Sequence, residues 1–319
     1  MIAILVEQQR RNEMLTFARI ATKPAVFQML TGLSLQAFLD LLPAFHRATA
    51  HTEHQAEQRR TQPRKRHKGG GRKPLLSSDA DRLLFILFYF KVYPLQAVQA
   101  FFFGMSQAQA CEWIHRLTPV LNQALGFEKQ LPARKAADVT QVLRACPGLE
   151  FIIDGTERPI QRPKDKARQK EYYSGKKKRH TVKNVTIGDR RTRKIKALSR
   201  TRPGKTSDKR TADEEHYHFP ARSKLYKDTG FQGYEPPKVR TYQPKKKPPK
   251  GELTAEEKAT NQAISRKRVR IEHSIGGAKV FHIARDVFRN RRDDYVDLSF
   301  ETACGLHNLR CDYRLSAGA

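Results

Sequence analysis

LEFIIDG (149–155) and SKLYKDTG (223–230) decide the fold of this chain. Each is a short run that ends on an aspartate, with a turn signal directly behind it: Gly155 in the first, Thr229-Gly230 in the second. Short apolar runs bounded by turn residues read as strands buried in a sheet. A carboxylate at such a strand end emerges from the sheet into a cleft. If the two strands are neighbours, Asp154 and Asp228 meet at one sheet edge. HTVKNVTIG (180–188) and RKIKALS (193–199) read as two more strands, joined by the polar turn DRRT, and KVRTY (238–242) as a fifth. Residues 209–221 read as a polar helix. Thr254 and Glu257 form a capping box that opens a long helix to about Val280, and an amphipathic segment, Tyr295–Arg310, follows. Three strands, a helix, a strand and then helices describe an α/β layer fold.

The long helix carries a third acid. Glu272 lies in RVRIEHSIGGAK (268–279), among Arg268, Arg270 and Lys279. Taken singly, these acids have ordinary readings. An aspartate before glycine is usually a turn residue, and a glutamate among arginines is usually a surface ion pair. Together, and in this order of elements, they point to chemistry. Three converging carboxylates would bind two magnesium ions, which favour oxygen ligands and leave positions open for phosphate. Two such ions activate an attacking oxygen and stabilise a leaving one in displacement at phosphorus.

Charge points the same way. The 319 residues hold 62 Lys and Arg against 32 Asp and Glu, a formal +30. Such an excess repels itself in the compact state and seeks a polyanion. The basic residues spread along the whole chain, which favours nucleic acid over a membrane surface. No stretch reaches the roughly 18 consecutive apolar residues of a membrane span. The apolar start MIAILVEQQRR lacks a basic leader and a cleavage site, so no signal peptide is expected. Cys111, Cys146, Cys304 and Cys311 are too few and scattered for a disulfide framework, which fits a reducing compartment such as the cytoplasm. Cys304, His307 and Cys311 lack an evident fourth ligand for zinc and read as buried residues of a helix face.

The first half reads as helical. The apolar positions Leu35, Phe38, Leu39 and Leu42 recur at helical spacing, with Ser34 as a cap. RRTQPRKRHKGGGRK (59–73), with eight Lys or Arg in fifteen residues, cannot bury a core and reads as a linker that touches phosphate. Ser78-Asp79-Ala80-Asp81 opens the apolar helix Leu83–Phe90. Pro94 starts a second helix with Leu95, Val98, Phe101 and Phe102. After the turn Gly104-Met105, Ser106 caps a third helix with Ala110, Trp113, Ile114 and Leu117. This is the pattern of a helix-turn-helix, whose second helix presents its N-terminal residues to base edges. Here those are Gln107, Gln109 and Glu112, with Arg116 further along. The expected organisation is an N-terminal helical region (1–58), a basic linker (59–76), a helix-turn-helix domain (77–145) and a catalytic domain (146–319).

The motifs IDGTERPI (153–160), KKRHTVKN (177–184), PGKTSDKR (203–210), LYKDTGFQGY (225–234), NQAISRKRVRIEHSIGGAKVF (261–281) and GLHNLR (305–310) resemble those of bacterial insertion-sequence DDE transposases, in the branch related to Harbinger elements. LTGLSLQAF (30–38) and FFFGMSQAQACEWIHRL (101–117) resemble the N-terminal part of that family. The resemblance implies a ribonuclease H-like mixed sheet flanked by helices. It implies Asp154, Asp228 and Glu272 as a metal-binding triad for two magnesium ions, with manganese as a substitute. Arg268, four residues before Glu272, and Lys279, seven after it, match family positions and are expected to contact DNA. Where insertion-sequence relatives often carry a tyrosine three residues before that arginine, this chain has Ser265. Asp208, in PGKTSD, also resembles a recurrent family position and rivals Asp228. A strand-end aspartate beside the first strand has the better geometry, which leaves Asp208 to support the site from outside the metal ligands. The implied partners are duplex DNA, both element ends and target, and by analogy a second copy of the chain. Two other readings stay open: a DNA-binding relative without catalysis, and a nuclease of the same fold acting on RNA.

Overall fold

The expected strands pair into one mixed sheet in a computed structural model that describes residues 14–62, 74–248 and 251–316. Most of the basic run 59–73 lies outside the described residues. Contacts divide the chain into two compact units, residues 1–130 with 281–283 and residues 131–280 with 284–319.

In the first unit, α1 (Phe17–Ala21), α2 (Pro24–Thr31) and α3 (Leu35–Gln58) precede α4 (Asp79–Val92), α5 (Gln96–Phe102) and α6 (Gln107–Phe127). Every residue from Leu83 to Phe90 on α4 is buried, as expected of a helix apolar on all sides. Ser78 caps α4 by accepting from the Asp81 N–H at 3.0 Å. The turn between α5 and α6 is fixed by Phe103, fully buried and edge-on to Phe85 with ring centres 4.8 Å apart. Gly104 follows at φ +64°, where any β-carbon would collide with Met14. Ser106 and Gln109 then close a capping box on α6. One expectation reverses here. Leu95, Val98, Phe101 and Phe102 were assigned the apolar positions of α5, yet all four are exposed, Phe101 to 81%. The buried face of α5 is instead Gln99 and Ala100, and the Gln99 amide is satisfied by donating to the Phe85 carbonyl at 2.9 Å.

The second unit begins earlier than residue 146. Helix α7 (Ala136–Arg144) contributes Val139 and Leu143 to the same core as Phe151, Ile153, Val185, Ile187 and Leu225. The strands are β1 (Glu150–Pro159), β2 (Tyr173–Ser174), β3 (Arg179–Asp189), β4 (Ile195–Leu198), β5 (Arg202–Pro203), β6 (Ser223–Tyr226) and β7 (Val239–Tyr242), with α8 (Lys166–Tyr172) before β2 and α9 (Asp208–Glu214) before β6. The order is β2-β3-β1-β6-β7, with β4 and β5 also on β3. β1 runs antiparallel to β3 from Phe151↔Asp189 to Pro159↔Thr181, and parallel to β6 over only three pairs, ending at Ile152↔Tyr226. β7 continues the parallel half. The expected helix over 209–221 is shorter, ending at Glu214.

Side chains alternate across a strand, so β1 feeds two cores. Phe151 and Ile153 pack with α7, Ala212 of α9 and Phe231. Ile152 packs with Tyr226 and with Ile264, Ile271 and Ile275 of α10 (Ala255–Lys279). The Thr254–Glu257 capping box opens α10 as expected. The last helix, α11 (Tyr295–Ser316), is held by Asn308, which donates to and accepts from the backbone of Ile195 at 2.8 Å each. Gly277 lets α10 come against the His307 ring, because a β-carbon there would overlap it. Burial lowers the His307 pKa to about 4 and raises that of Cys304 to about 12, so both side chains are neutral core residues. This agrees with their reading as a helix face.

Truncating Leu143, fully buried in this core, is expected to cost about 2–5 kcal/mol. In a Leu143→Ala variant, hydrogen exchange should accelerate in β1 and β3 and leave α4 unchanged. Protection lost in α4 instead would return α7 to the helical unit.

Candidate active site

Parallel pairing aligns β1 and β6 residue for residue. Their last partners are Ile152 and Tyr226, and each strand carries an aspartate two positions further on, Asp154 and Asp228. The two stand at the same level, Asp154 within β1 and paired with Thr186 of β3, Asp228 beyond the end of β6; β1 does not end at Asp154, as its apolar run suggests, but runs on to Pro159 because β3 continues to pair with it. Each carboxylate is anchored by the backbone N–H of the residue that follows it. The Gly155 N–H donates to Asp154 Oδ1 at 2.9 Å, and the Thr229 N–H to Asp228 Oδ1 at 2.7 Å. The Asp228 carbonyl accepts from Gln243 at 2.8 Å.

One cation serves both acids. Arg268 of α10 is only 9% exposed, and its guanidinium lies 3.5 Å from Asp228 Oδ1 and 3.9 Å from Asp154 Oδ1. Burial raises the Asp154 pKa to about 6; Arg268 and the Gly155 N–H oppose this, and the charges of Asp228 and Asp208 add to it. The site thus holds more negative charge than one guanidinium balances.

Asp208 sits against this edge from the α9 side. It packs so closely on Gly155 that a β-carbon there would overlap its carboxylate, and one at Gly230 would lie 3.1 Å from Oδ2. Lys183 of β3, itself buried, is 3.2 Å from Asp208 Oδ1 and 3.6 Å from Glu157 Oε1, and donates to the Thr206 carbonyl at 2.9 Å. The sequence reading missed Lys183 and Glu157, though both stand in quoted motifs. Alternation along β3 and β1 places them where a buried ion pair was readable.

On α10, Arg268, Glu272, Ile275 and Lys279 fall within roughly 60° of arc at 100° per residue. Arg268 reaches Asp154 at one end of this stripe, and the Lys279 ammonium donates to the Glu157 carbonyl at 3.3 Å at the other. The stripe therefore follows β1, with Glu272 on it between two cations. Burial, then the nearby charges of Arg158 and Lys177, lower the Lys279 pKa to about 8. Glu272 itself is exposed. Among the described residues, no three His, Cys, Asp or Glu side chains are gathered closely enough to hold a metal ion. The donor chemistry nevertheless suits a hard divalent cation. Among the described residues, the side-chain hydrogen bonds and ion pairs of Asp154 and Asp228 fall on Oδ1, and none reaches Oδ2 of either.

Residues 153–308 match the family model described as DDE superfamily endonuclease, and residues 76–127 match the helix-turn-helix of DDE superfamily endonuclease. The chain belongs to the DDE superfamily of transposases. It is 28% identical over 246 residues to a probable transposase for insertion sequence element IS702 from Microchaete diplosiphon, covering 76% of this chain and 84% of that one. No solved structure matches it significantly. The superfamily implies dependence on a divalent metal.

In this transposase-family chain the helix-turn-helix residues differ in availability. Gln107 is exposed at the first turn of α6. Gln109 is also exposed, but its carbonyl accepts the Ser106 N–H at 3.0 Å as part of the cap. Arg116 lies over the Trp113 ring, 5.1 Å from its centre, and 3.2 Å from Glu53. Among the described residues, no single helix is long and apolar enough to cross a membrane.

Gly155→Ala should destabilise by about 1–3 kcal/mol, the usual cost of overpacking. The Gly155→Ala/Asp208→Ala double variant should lose less than the sum of the two single changes, because residues in contact couple. Additive losses in thermal melts would show that Asp208 does not press on β1.

Proposed function

We propose that this chain is an active transposase, cutting insertion-sequence ends and joining the freed 3′-hydroxyl to target DNA on a ribonuclease H-like catalytic domain. The observation that carries this reading is the shared edge: Asp154 within β1 and Asp228 just past β6, each two residues beyond the last pair of the two strands, joined by one guanidinium from the helix that bears Glu272. Asp154, Asp228 and Glu272 would hold two magnesium ions, for which manganese can substitute. Such ions activate the attacking oxygen and stabilise the leaving one. The chain's own residues do the rest. The backbone N–H groups of Gly155 and Thr229 fix the two aspartates, Asp208 and Lys183 brace β1 from behind, and Lys279 places a positive charge beside the strand on which a phosphate would lie.

The helix-turn-helix, residues 77–145 in the sequence reading, would bind the element ends. Gln107 and Arg116 meet the bases, Gln109 retains its amide N–H for the same use, and the basic run 59–73 meets the backbone. The +30 charge supplies the unspecific, salt-sensitive part of that affinity. Bringing two ends together calls for two copies of the chain on DNA, acting in the cytoplasm where the chromosome lies.

Cleavage of a labelled duplex, whose sequence comes from the inverted repeats expected to flank the gene, tests the assignment. Asp154→Asn, Asp228→Asn and Glu272→Gln should each abolish cleavage with magnesium and with manganese while DNA binding persists; Asp208→Asn should leave measurable activity. An active Glu272→Gln enzyme would sink the DDE assignment. The opposite pattern for the two aspartates would move the ligand role to Asp208.

Lys279 gives a pH signature. Its folded pKa, about 8, lies below the ordinary lysine value near 10.4. Between those values the unfolded chain keeps a proton that the folded one has released, so this group's contribution to stability rises with pH across that window. Its attraction for phosphate falls over the same range. DNA affinity should therefore drop as pH rises from 7 to 9, with about one unit lost from the salt slope. Lys279→Arg, still charged at pH 9, should remove the drop; the same drop in that variant would exclude Lys279 as its source.

A further inference from the structure

The geometry points to Arg268 as an internal stand-in for the divalent cations: without them it holds Asp154 and Asp228, and when they take the aspartates it transfers to a DNA phosphate. This rests on the reading of the two aspartates as cation ligands.

Arg268 is held unlike the half-buried Arg134 and the buried Arg158. Arg134 closes on Asp297 at 2.5 Å. Arg158 donates to the Val296 carbonyl at 3.0 Å and to Asn184, and lies over the Phe300 ring. These are closed contacts of the kind that hold a fold together. The guanidinium of Arg268 stands 3.5 and 3.9 Å from its two acids, beyond good hydrogen-bond length; its Nε, like that of Arg158, is buried with no hydrogen-bond partner. It supplies charge to the site without being tied into it. Both aspartates turn Oδ1 toward it.

The same placement accounts for Glu272. It lies one helical turn beyond Arg268 on the stripe that follows β1, yet it is exposed. Three carboxylates drawn together without a cation repel one another, and Arg268 already occupies the approach between Asp154 and Asp228. Cations seated on the aspartates would repel the guanidinium, removing its reason to stay and giving Glu272 a reason to approach. The freed guanidinium, anchored on α10 beside the strand ends, lies within reach of the phosphate to be cut. Metal and DNA then reinforce each other, since whatever frees Arg268 for one ligand favours the other by the same factor.

The full-length chain can be tested with two probes. The first is calorimetric titration with Mn²⁺ in the absence of DNA. Removing the competing charge in Arg268→Gln should tighten Mn²⁺ binding by about tenfold, within the usual range of coupling factors. Arg268→Lys keeps the charge but cannot span both acids, and should fall between the two; it serves if the Gln variant does not fold. The second is the anisotropy of a fluorescein-labelled duplex in EDTA and in Ca²⁺. The wild type should bind several-fold more tightly with Ca²⁺, and the variants should lose that difference in the same order. Equal or weaker Mn²⁺ binding by both variants, or wild-type DNA affinity indifferent to Ca²⁺, would overturn the proposal while leaving the transposase reading intact. Failure of the wild type and both variants to bind Mn²⁺ would overturn the cation-ligand reading itself, and this proposal with it.

Discussion

The premature end of β6 organises the second unit. A parallel partner that continued past Tyr226 would bury Asp154 and Asp228 inside a sheet, where unpaired carboxylates are costly. A partner that ended sooner would leave them at different levels. Stopping after three pairs opens a notch exactly one strand wide. β1 stays rigid along the notch because its other edge remains paired with β3 as far as Pro159. Asp154 thus rests on regular structure, which holds a constellation more tightly than loops do, and Asp228 caps the single 3-10 turn Thr229–Phe231.

The notch makes demands on its surroundings. Gly155 has to lack a side chain because Asp208 presses against it, and Lys183 has to be buried to neutralise Asp208 and Glu157. α10 has to bring both an apolar face, Ile264, Ile271 and Ile275, and a cation within that face, Arg268. Removing one partner of such a buried charge set generally costs more than the set contributes, because the remaining charge is stranded. The site is therefore coupled to the stability of the sheet that presents it.

Much of this was legible in the sequence. The apolar runs before Asp154 and Asp228 announce the two strands, although β1 continues past Asp154 to Pro159, and the cap at Ser106 and the capping box at Thr254 announce helix starts. The pairing of β1 with β6 was not legible, because strand adjacency is set by tertiary packing. Arg268 was expected to contact DNA because it matches a family position four residues before Glu272. Its spacing with Ile264, Ile271 and Ile275 marked it as inward-facing, but a charge at a core position is improbable unless its partners are already known. Gln109 was read as a base contact although Ser-x-x-Gln is itself a capping signature. On α5, three successive phenylalanines, 101 to 103, gave the helical period nothing to choose between, and the turn buried the last of them. The start of the second unit was set too late because α7, polar on one face, continues the helical pattern of the residues before it.

The clasp at the far end of β1 bears on how the protein is made. Arg158 lies within the sheet, and burial lowers its pKa to about 10. Its partners include Val296 and Phe300, while Asp297 ties down both Arg134 and Thr201. These residues reach the ribosome's exit more than a hundred codons after Arg158 does. Until they emerge, Arg158 lacks the partners it has in the folded chain, so this clasp closes only once α11 is made. A copy cut short by a late stop codon or frameshift would lose the clasp while keeping every acidic residue of the site. Such a gene would still look catalytic when read as text, and its product would go to the proteases of the cell.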